Sequence, residues 1–255
     1  MRYTLTLLLL IFLILPNTKA QEFYELKKYI ISGVDQEKRL DDYLKNAYIP
    51  AAKKAGVSAI GVFKPVNSDQ ENKGKLVFVL TPFKDLNKFE KFTAALDKDQ
   101  TYQSRGKDYI DAPYDNPPYA RIETTLLRAF SGFKKLRKPP FTNSPSDRVY
   151  ELRSYEGATE KIYRNKVEMF NEGGEIEIFE KLGFNAVFYG EVLIGKEQPN
   201  LIYMTTFENM KSRDQHWDTF RSDPDWEKLR DNPRYQNNVS GRWTYLLSPT
   251  DYSDL

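Results

Sequence analysis

Two short stretches of this chain nearly repeat one another: FYELKKY, Phe23–Tyr29, and VYELRSY, Val149–Tyr155. Tyr24-Glu25-Leu26 and Tyr150-Glu151-Leu152 stand 126 residues apart. KAGVSAIGVF (Lys54–Phe63) answers KLGFNAVFYG (Lys181–Gly190) at a spacing of 127. KLVFVLTPF (Lys75–Phe83) answers NLIYMTTF (Asn200–Phe207) with the closing phenylalanines 124 apart, a spacing kept by Tyr102 and Trp226. RIETTLL (Arg121–Leu127) answers RWTYLL (Arg242–Leu247) after one further slip. Five blocks in one order at a nearly constant period describe a duplicated domain.

Each copy alternates element types. The opening reads as a strand with Tyr24 and Leu26, or Tyr150 and Leu152, on one face. A charged helical stretch follows, Gln36 to Lys54 in one copy and Ala158 to Lys181 in the other, ended by Gly56 and Gly183 as left-handed caps. Two strands come next, then a second helix (Lys84–Leu96, Asn209–Phe220) and a final strand. The order β-α-β-β-α-β is the ferredoxin-like split unit. In NAVFYGEVLI (Asn185–Ile194), Ala186, Phe188, Val192 and Ile194 make one face, and Val187, Tyr189 and Leu193 the other, interrupted by Glu191. KLVFVL (Lys75–Leu80) is apolar on both faces as well. Such sheets need cover on both sides, and two helices cover only one. The free face must meet another sheet, giving a two-sheet α/β barrel. Closure within one chain and closure between two molecules both remain open.

Residues 1–20, MRYTLTLLLLIFLILPNTKA, have Arg2, an apolar run from Leu5 to Leu15, then Pro16 and small residues. That is the pattern of a cleaved export signal, too short to span a bilayer. The expected product is a soluble periplasmic or extracellular protein. The expected organisation is signal 1–20, first copy 21–133, linker 134–146 and second copy 147–255. Without the signal, 36 basic residues balance 36 acidic ones, which gives no electrostatic case for nucleic acid or an anionic membrane. No later segment is apolar enough for stable membrane insertion. Cysteine is absent, so burial alone must stabilise the fold. The run KKLRK (Lys134–Lys138) before Pro139-Pro140 reads as a solvated linker.

The second copy resembles the NIPSNAP family through YELRSY, IFEKLGFNAVFYGEV (Ile178–Val192), MTTFENMKSRDQHWDTFRSDPDWEKL (Met204–Leu229), NNVS (Asn237–Ser240) and LLSPTDYSDL at the end. The first copy resembles it more weakly, with Asp99-Gln100-Thr101-Tyr102 where the second has Asp223-Pro224-Asp225-Trp226. The resemblance implies an α+β fold: two tandem ferredoxin-like units of dimeric α/β-barrel type. It implies no agreed catalytic residues.

Candidate chemistry is sparse. His216, the only histidine, raises haem ligation; its first-copy counterpart Phe92 favours a packed ring instead. No second His and no Cys complete a zinc set, so neither metal nor cofactor is expected. FNEGGEIEIFE (Phe170–Glu180) reads as a helix broken at Gly173-Gly174, where Glu168, Glu172, Glu175, Glu177 and Glu180 make either a solvated, kinked face or a carboxylate cluster for a hard cation or an acid–base pair. Glu191 interrupts an apolar strand face; if that face points into the barrel, the carboxylate needs a partner such as Arg153 or Arg242, as a structural pair or as a substrate-orienting or proton-accepting group. Tyr189, Tyr203, Trp243 and Tyr245 are candidates for lining the same cavity. Asp223-Pro224 reads as a helix cap, and Asn238 opens a glycosylation triplet. The ligand-binding set is therefore Glu191, Tyr189, Tyr203, His216, Arg242 and Trp243. The first reading is a binder of a small molecule or protein partner, with self-association left open. The alternatives are a cofactor-free monooxygenase- or isomerase-like enzyme built around Glu191, Tyr203 and His216, and an assembly component.

Overall fold

The computed structural model describes residues 20–255; the export-signal reading falls, but for Ala20, outside them. The first half runs β1 (Phe23–Ile30), α1 (Val34–Tyr43), a π-helical turn (Leu44–Tyr48), α2 (Ile49–Lys54), β2 (Gly61–Pro65), β3 (Leu76–Phe83), α3 (Leu86–Asp97), α4 (Gln100–Arg105), α5 (Lys107–Ile110) and β4 (Arg121–Ala129). The second runs β5 (Val149–Glu156), α6 (Glu160–Asn171), α7 (Glu175–Lys181), β6 (Ala186–Ile194), β7 (Asn200–Phe207), α8 (Met210–Arg221), α9 (Pro224–Arg230) and β8 (Gly241–Pro249).

The eight strands close into a barrel in the order β1-β3-β2-β8-β5-β7-β6-β4. Every pairing is antiparallel. Each half contributes four neighbouring strands, β4-β1-β3-β2 and β8-β5-β7-β6. Two seams join them: β2 on β8, from Phe63↔Pro249 to Pro65↔Leu247, and β4 on β6, from Leu126↔Ile194 to Ala129↔Gly190. The barrel thus closes within a single chain, which decides the question the sequence leaves open.

The interior is filled largely by aromatic and aliphatic side chains. Tyr24, Phe63, Phe78, Tyr150, Phe188 and Leu247 all point into it and exclude water almost completely. Burying a side chain such as Phe188 contributes about 1.5–3 kcal/mol. The outer face of each half packs against its own helices, forming two further aromatic-rich cores. Among the described residues, no helix is long and apolar enough to cross a membrane.

The correspondence between the halves extends to individual caps. Asp85 accepts from the Lys88 N–H at 2.8 Å, and Asn209, 124 residues on, accepts from the Ser212 N–H at 2.9 Å. Asp99 caps α4 and pairs with Lys54 at 2.8 Å; Asp223 caps α9 and pairs with Lys181 at 2.7 Å. Asp223-Pro224 is therefore the cap that its sequence indicates, and the first half keeps the device without the proline. Gly56 (φ 92°) and Gly183 (φ 74°) end the first helical stretch of each half in the left-handed region, as expected.

Two departures matter. The first helical stretch is interrupted by the π turn at Leu44–Tyr48 rather than continuous. On β6 the register shifts between Ala186 and Phe188, so Val187 and Phe188 both join the barrel interior. A β-bulge breaks simple alternation, and this one places Ala186 and Tyr189 together on the helix-covered side.

Candidate functional site

A cavity of about 610 Å³ lies between the outer face of the second-half sheet and its helices. Its floor is Arg153 and Tyr155 on β5, with Arg242 on β8 beside Tyr155. Its walls come from α6 (Lys166, Met169), α7 (Glu175, Phe179), α8 (Arg213, Trp217) and α9 (Trp226, Arg230). The volume suits a small organic molecule.

The lining is strongly cationic. Arg153, Lys166, Arg213, Arg221, Arg230 and Arg242 face it, against the single carboxylate of Glu175. Arg221 and Arg230 sit at the exposed rim, paired with Asp218 and Asp231. Arg242 is also exposed, and it makes no ion pair among the described residues.

Behind the inner wall lies Glu151, with 0% of its surface exposed. Its carboxylate accepts from Arg153 Nη1 at 2.8 Å, Arg213 Nε at 2.8 Å, Arg213 Nη2 at 3.0 Å and Trp217 Nε1 at 2.7 Å. One buried anion thus orients two guanidinium groups and an indole around the cavity. Arg153 also stacks over Trp217, its guanidinium 4.6 Å from the ring centroid. Its Nε is buried with no partner, a costly orphan donor, while Nη2 is neither bonded nor enclosed.

A second buried pair closes the opposite wall. Lys166 Nζ donates to Glu175 Oε2 at 2.7 Å, with side-chain exposures of only 6% and 2%. Burial pushes the Glu175 carboxyl above the usual carboxylate range, although the Lys166 charge pulls it back. Below them Tyr155 and Tyr203 share a hydroxyl hydrogen bond of 3.0 Å. Burial raises the Tyr203 phenol well above its ordinary value.

The sequence-derived candidates do not share one site. Arg242 reaches the cavity rim. Tyr203 touches it only through Tyr155, and Tyr189 stacks on Tyr203 with centroids 5.5 Å apart, fully buried beneath. Glu191 sits on the helix-covered face of β6, paired with Arg128 at 3.0 Å and near the Tyr163 hydroxyl at 3.4 Å. Its partner comes from β4 across the seam, not from Arg153 or Arg242. His216 packs against Phe207 at 5.5 Å, as Phe92 packs against Phe83 at 5.1 Å, with Nδ1 2.7 Å from the Ser212 carbonyl. Trp243 lies on the interior face of β8, where only about 50 Å³ is open beside it. The barrel interior therefore holds no organic-sized pocket at that end, and Glu191, Tyr203 and His216 form no common cavity.

The glutamates of the broken helix also disperse. Gly174 (φ 93°) separates α6 from α7, Glu175 turns inward to Lys166, Glu168 pairs with Arg234, and Glu180 pairs with Arg137. Asn238 is buried, its amide donating to Asn165 Oδ1 at 3.0 Å, so the folded chain does not present it for glycosylation. The sequence marks Glu175 only as one of a run of glutamates, and it does not mark Glu151 or Lys166 as site residues. One signal was present: if Tyr150 and Leu152 point inward, Glu151, Arg153 and Tyr155 lie under the helices and their charges need partners.

The first half fills the corresponding space. Tyr29, the counterpart of Tyr155, faces Ile122 across β1 and β4 where Tyr155 faces Arg242. Tyr109 from α5 bonds the Tyr29 hydroxyl at 3.2 Å and stacks on Tyr43 at 3.6 Å, with Tyr119 beside it. One scaffold therefore carries a plugged half and an open, cationic half.

Residues 150–254 match the NIPSNAP family model. The open half carries that match. No curated protein sequence matches the chain. Among solved structures, a monooxygenase-like protein from Fusobacterium nucleatum superposes with TM-score 0.57 at 9% identity, over 90% of this chain and 93% of that one. Another monooxygenase-like protein, from Lactobacillus acidophilus, gives 0.57 at 12% identity, over 90% and 94%. An anthrone oxidase-like protein gives 0.53 at 10%, over 91% and 93%. At these identities the likeness is one of fold, and fold does not carry chemistry. The chemistry of the cavity beneath the second-half helices rests on its own side chains.

Proposed function

We propose that the NIPSNAP domain binds a flat organic anion, a carboxylate on an aromatic or similarly planar frame, in the cavity above Arg153. The observation that carries this is the contrast between the halves. The same sheet-and-helix space is plugged by tyrosines in one copy and left open, at about 610 Å³, beneath six cationic side chains in the other. Arg153 and Trp217 supply the two complementary surfaces, a donor fork for a carboxylate and a ring face for a planar frame. In this reading the first half is a scaffold, and the two halves are tandem ferredoxin-like units of the dimeric α/β-barrel type. Their strand orders, β4-β1-β3-β2 and β8-β5-β7-β6, support that description. We further propose that the chain works outside the cytoplasm after loss of residues 1–20, on the strength of the apolar run Leu5–Leu15 and the small residues after Pro16.

Calorimetric titration with 2-naphthoate and its neutral analogue 2-naphthamide tests the binding. The acid binds at least about tenfold more tightly, the scale of a hydrogen bond to a charged group. Equal affinities, or no binding of either compound, contradict the reading.

A further inference from the structure

The Lys166–Glu175 pair is not explained by anion binding alone. The break at Gly173-Gly174 folds α7 back so that two residues nine apart in sequence meet at 2.7 Å, and both open onto the cavity. A buried ion pair is a poor stabilising device, because desolvating two charges offsets most of their attraction. The first half does without one. At the 126-residue spacing of the opening strands, Leu40 stands where Lys166 does. At the 127-residue spacing of the helix ends, Tyr48 stands for Glu175 and bonds Thr81 at 2.9 Å. The charged pair is thus confined to the half with the cavity. Lys166 Nζ lies 4.7 Å from the Phe170 ring and 5.3 Å from the Tyr155 ring, within an otherwise aromatic wall.

We propose that Glu175 and Lys166 form an acid–base couple that enolises a carbonyl-bearing organic acid held by the cationic cavity. The inference rests on the anion-binding reading above. Glu175 carboxylate takes a proton from the carbon next to the substrate carbonyl. The C–H electron pair becomes the C=C bond while the carbonyl π pair moves onto oxygen. The Lys166 ammonium hydrogen-bonds that enolate oxygen, and Glu175 returns the proton to the same carbon or to a conjugated one. Nothing is oxidised or reduced, and no co-reactant is consumed. Burial favours the protonated form of Glu175, which makes it a better base than an exposed carboxylate.

The test follows 2-oxo-4-phenylbutanoate in D2O by proton NMR, reading loss of the signal from the carbon next to the ketone, with 2-naphthoate binding measured on the same samples. The native protein exchanges these protons faster than buffer, and Glu175→Gln at saturating probe slows the protein-dependent exchange by about 100-fold, the usual weight of a positioned base. A double variant, Lys166→Leu with Glu175→Tyr, imports the side chains of the first half and guards against misfolding. It retains a cooperative thermal transition and loses the exchange. Naphthoate binding without exchange overturns the enolisation and leaves the binding reading intact. Absence of both overturns the two together, and undiminished exchange in Glu175→Gln overturns the assignment of the base.

Discussion

Glu151→Gln destabilises the protein by about 3–5 kcal/mol, the range for removing one partner of a buried charge network. The carboxylate is fully enclosed and accepts four hydrogen bonds from Arg153, Arg213 and Trp217. An amide of the same shape turns an N–H toward at least one of those donors, leaves Arg153 without a counter-charge and leaves Arg213 with the exposed Asp214 alone. For a chain of this size each kcal/mol moves the melting temperature by about 2–4 °C, so the transition falls by about 10 °C. The internal control is Glu25→Gln at the matching position of the first half. Glu25 is also buried, but it meets only Lys27, at 3.2 Å, and its Oε2 has no hydrogen-bond partner to lose. Its replacement costs under about 1 kcal/mol. Equal effects at the two positions contradict the asymmetry between the halves.

Arg153→Lys weakens 2-naphthoate binding by about 10- to 100-fold, the loss expected when a charged hydrogen-bonding fork becomes a single point charge. Binding of neutral 2-naphthamide changes far less. Arg153 is the inner cation with donor capacity left over, since only Nη1 is bonded to Glu151 and Nη2 is neither bonded nor enclosed. Arg242→Gln, at the exposed rim, has a smaller effect that fades as salt is added. If calorimetry gives the opposite ranking, the anion sits at the mouth and not above Trp217.

Much of the architecture was written in the repeat. The matching openings, the left-handed glycines and the Asp99 and Asp223 caps all recur in place, because local backbone chemistry is set by near neighbours. Apolar strands on both faces required a second sheet, and the barrel supplies it. The site was less legible because it depends on facts that strict alternation cannot hold. The bulge on β6 breaks the pattern from which Glu191 had been aimed into the barrel, and the true partner of Glu191, Arg128, arrives across an inter-half seam. The tyrosine plug of the first half draws on Tyr109 of α5 and on Tyr119, to which the matching sequence blocks of the repeat do not extend. Lys166 and Glu175 looked like residues of a solvated helix until the turn at Gly174 brought them face to face.

A crystal structure of the protein with 2-naphthoate tests the central claim most directly. The account predicts the naphthyl ring in the second-half cavity against Trp217, its carboxylate about 2.7–2.9 Å from an Arg153 nitrogen, with the tyrosine-filled first half unoccupied. A cavity left empty at saturating ligand, or naphthoate seated at the barrel mouth beside Trp243, contradicts it.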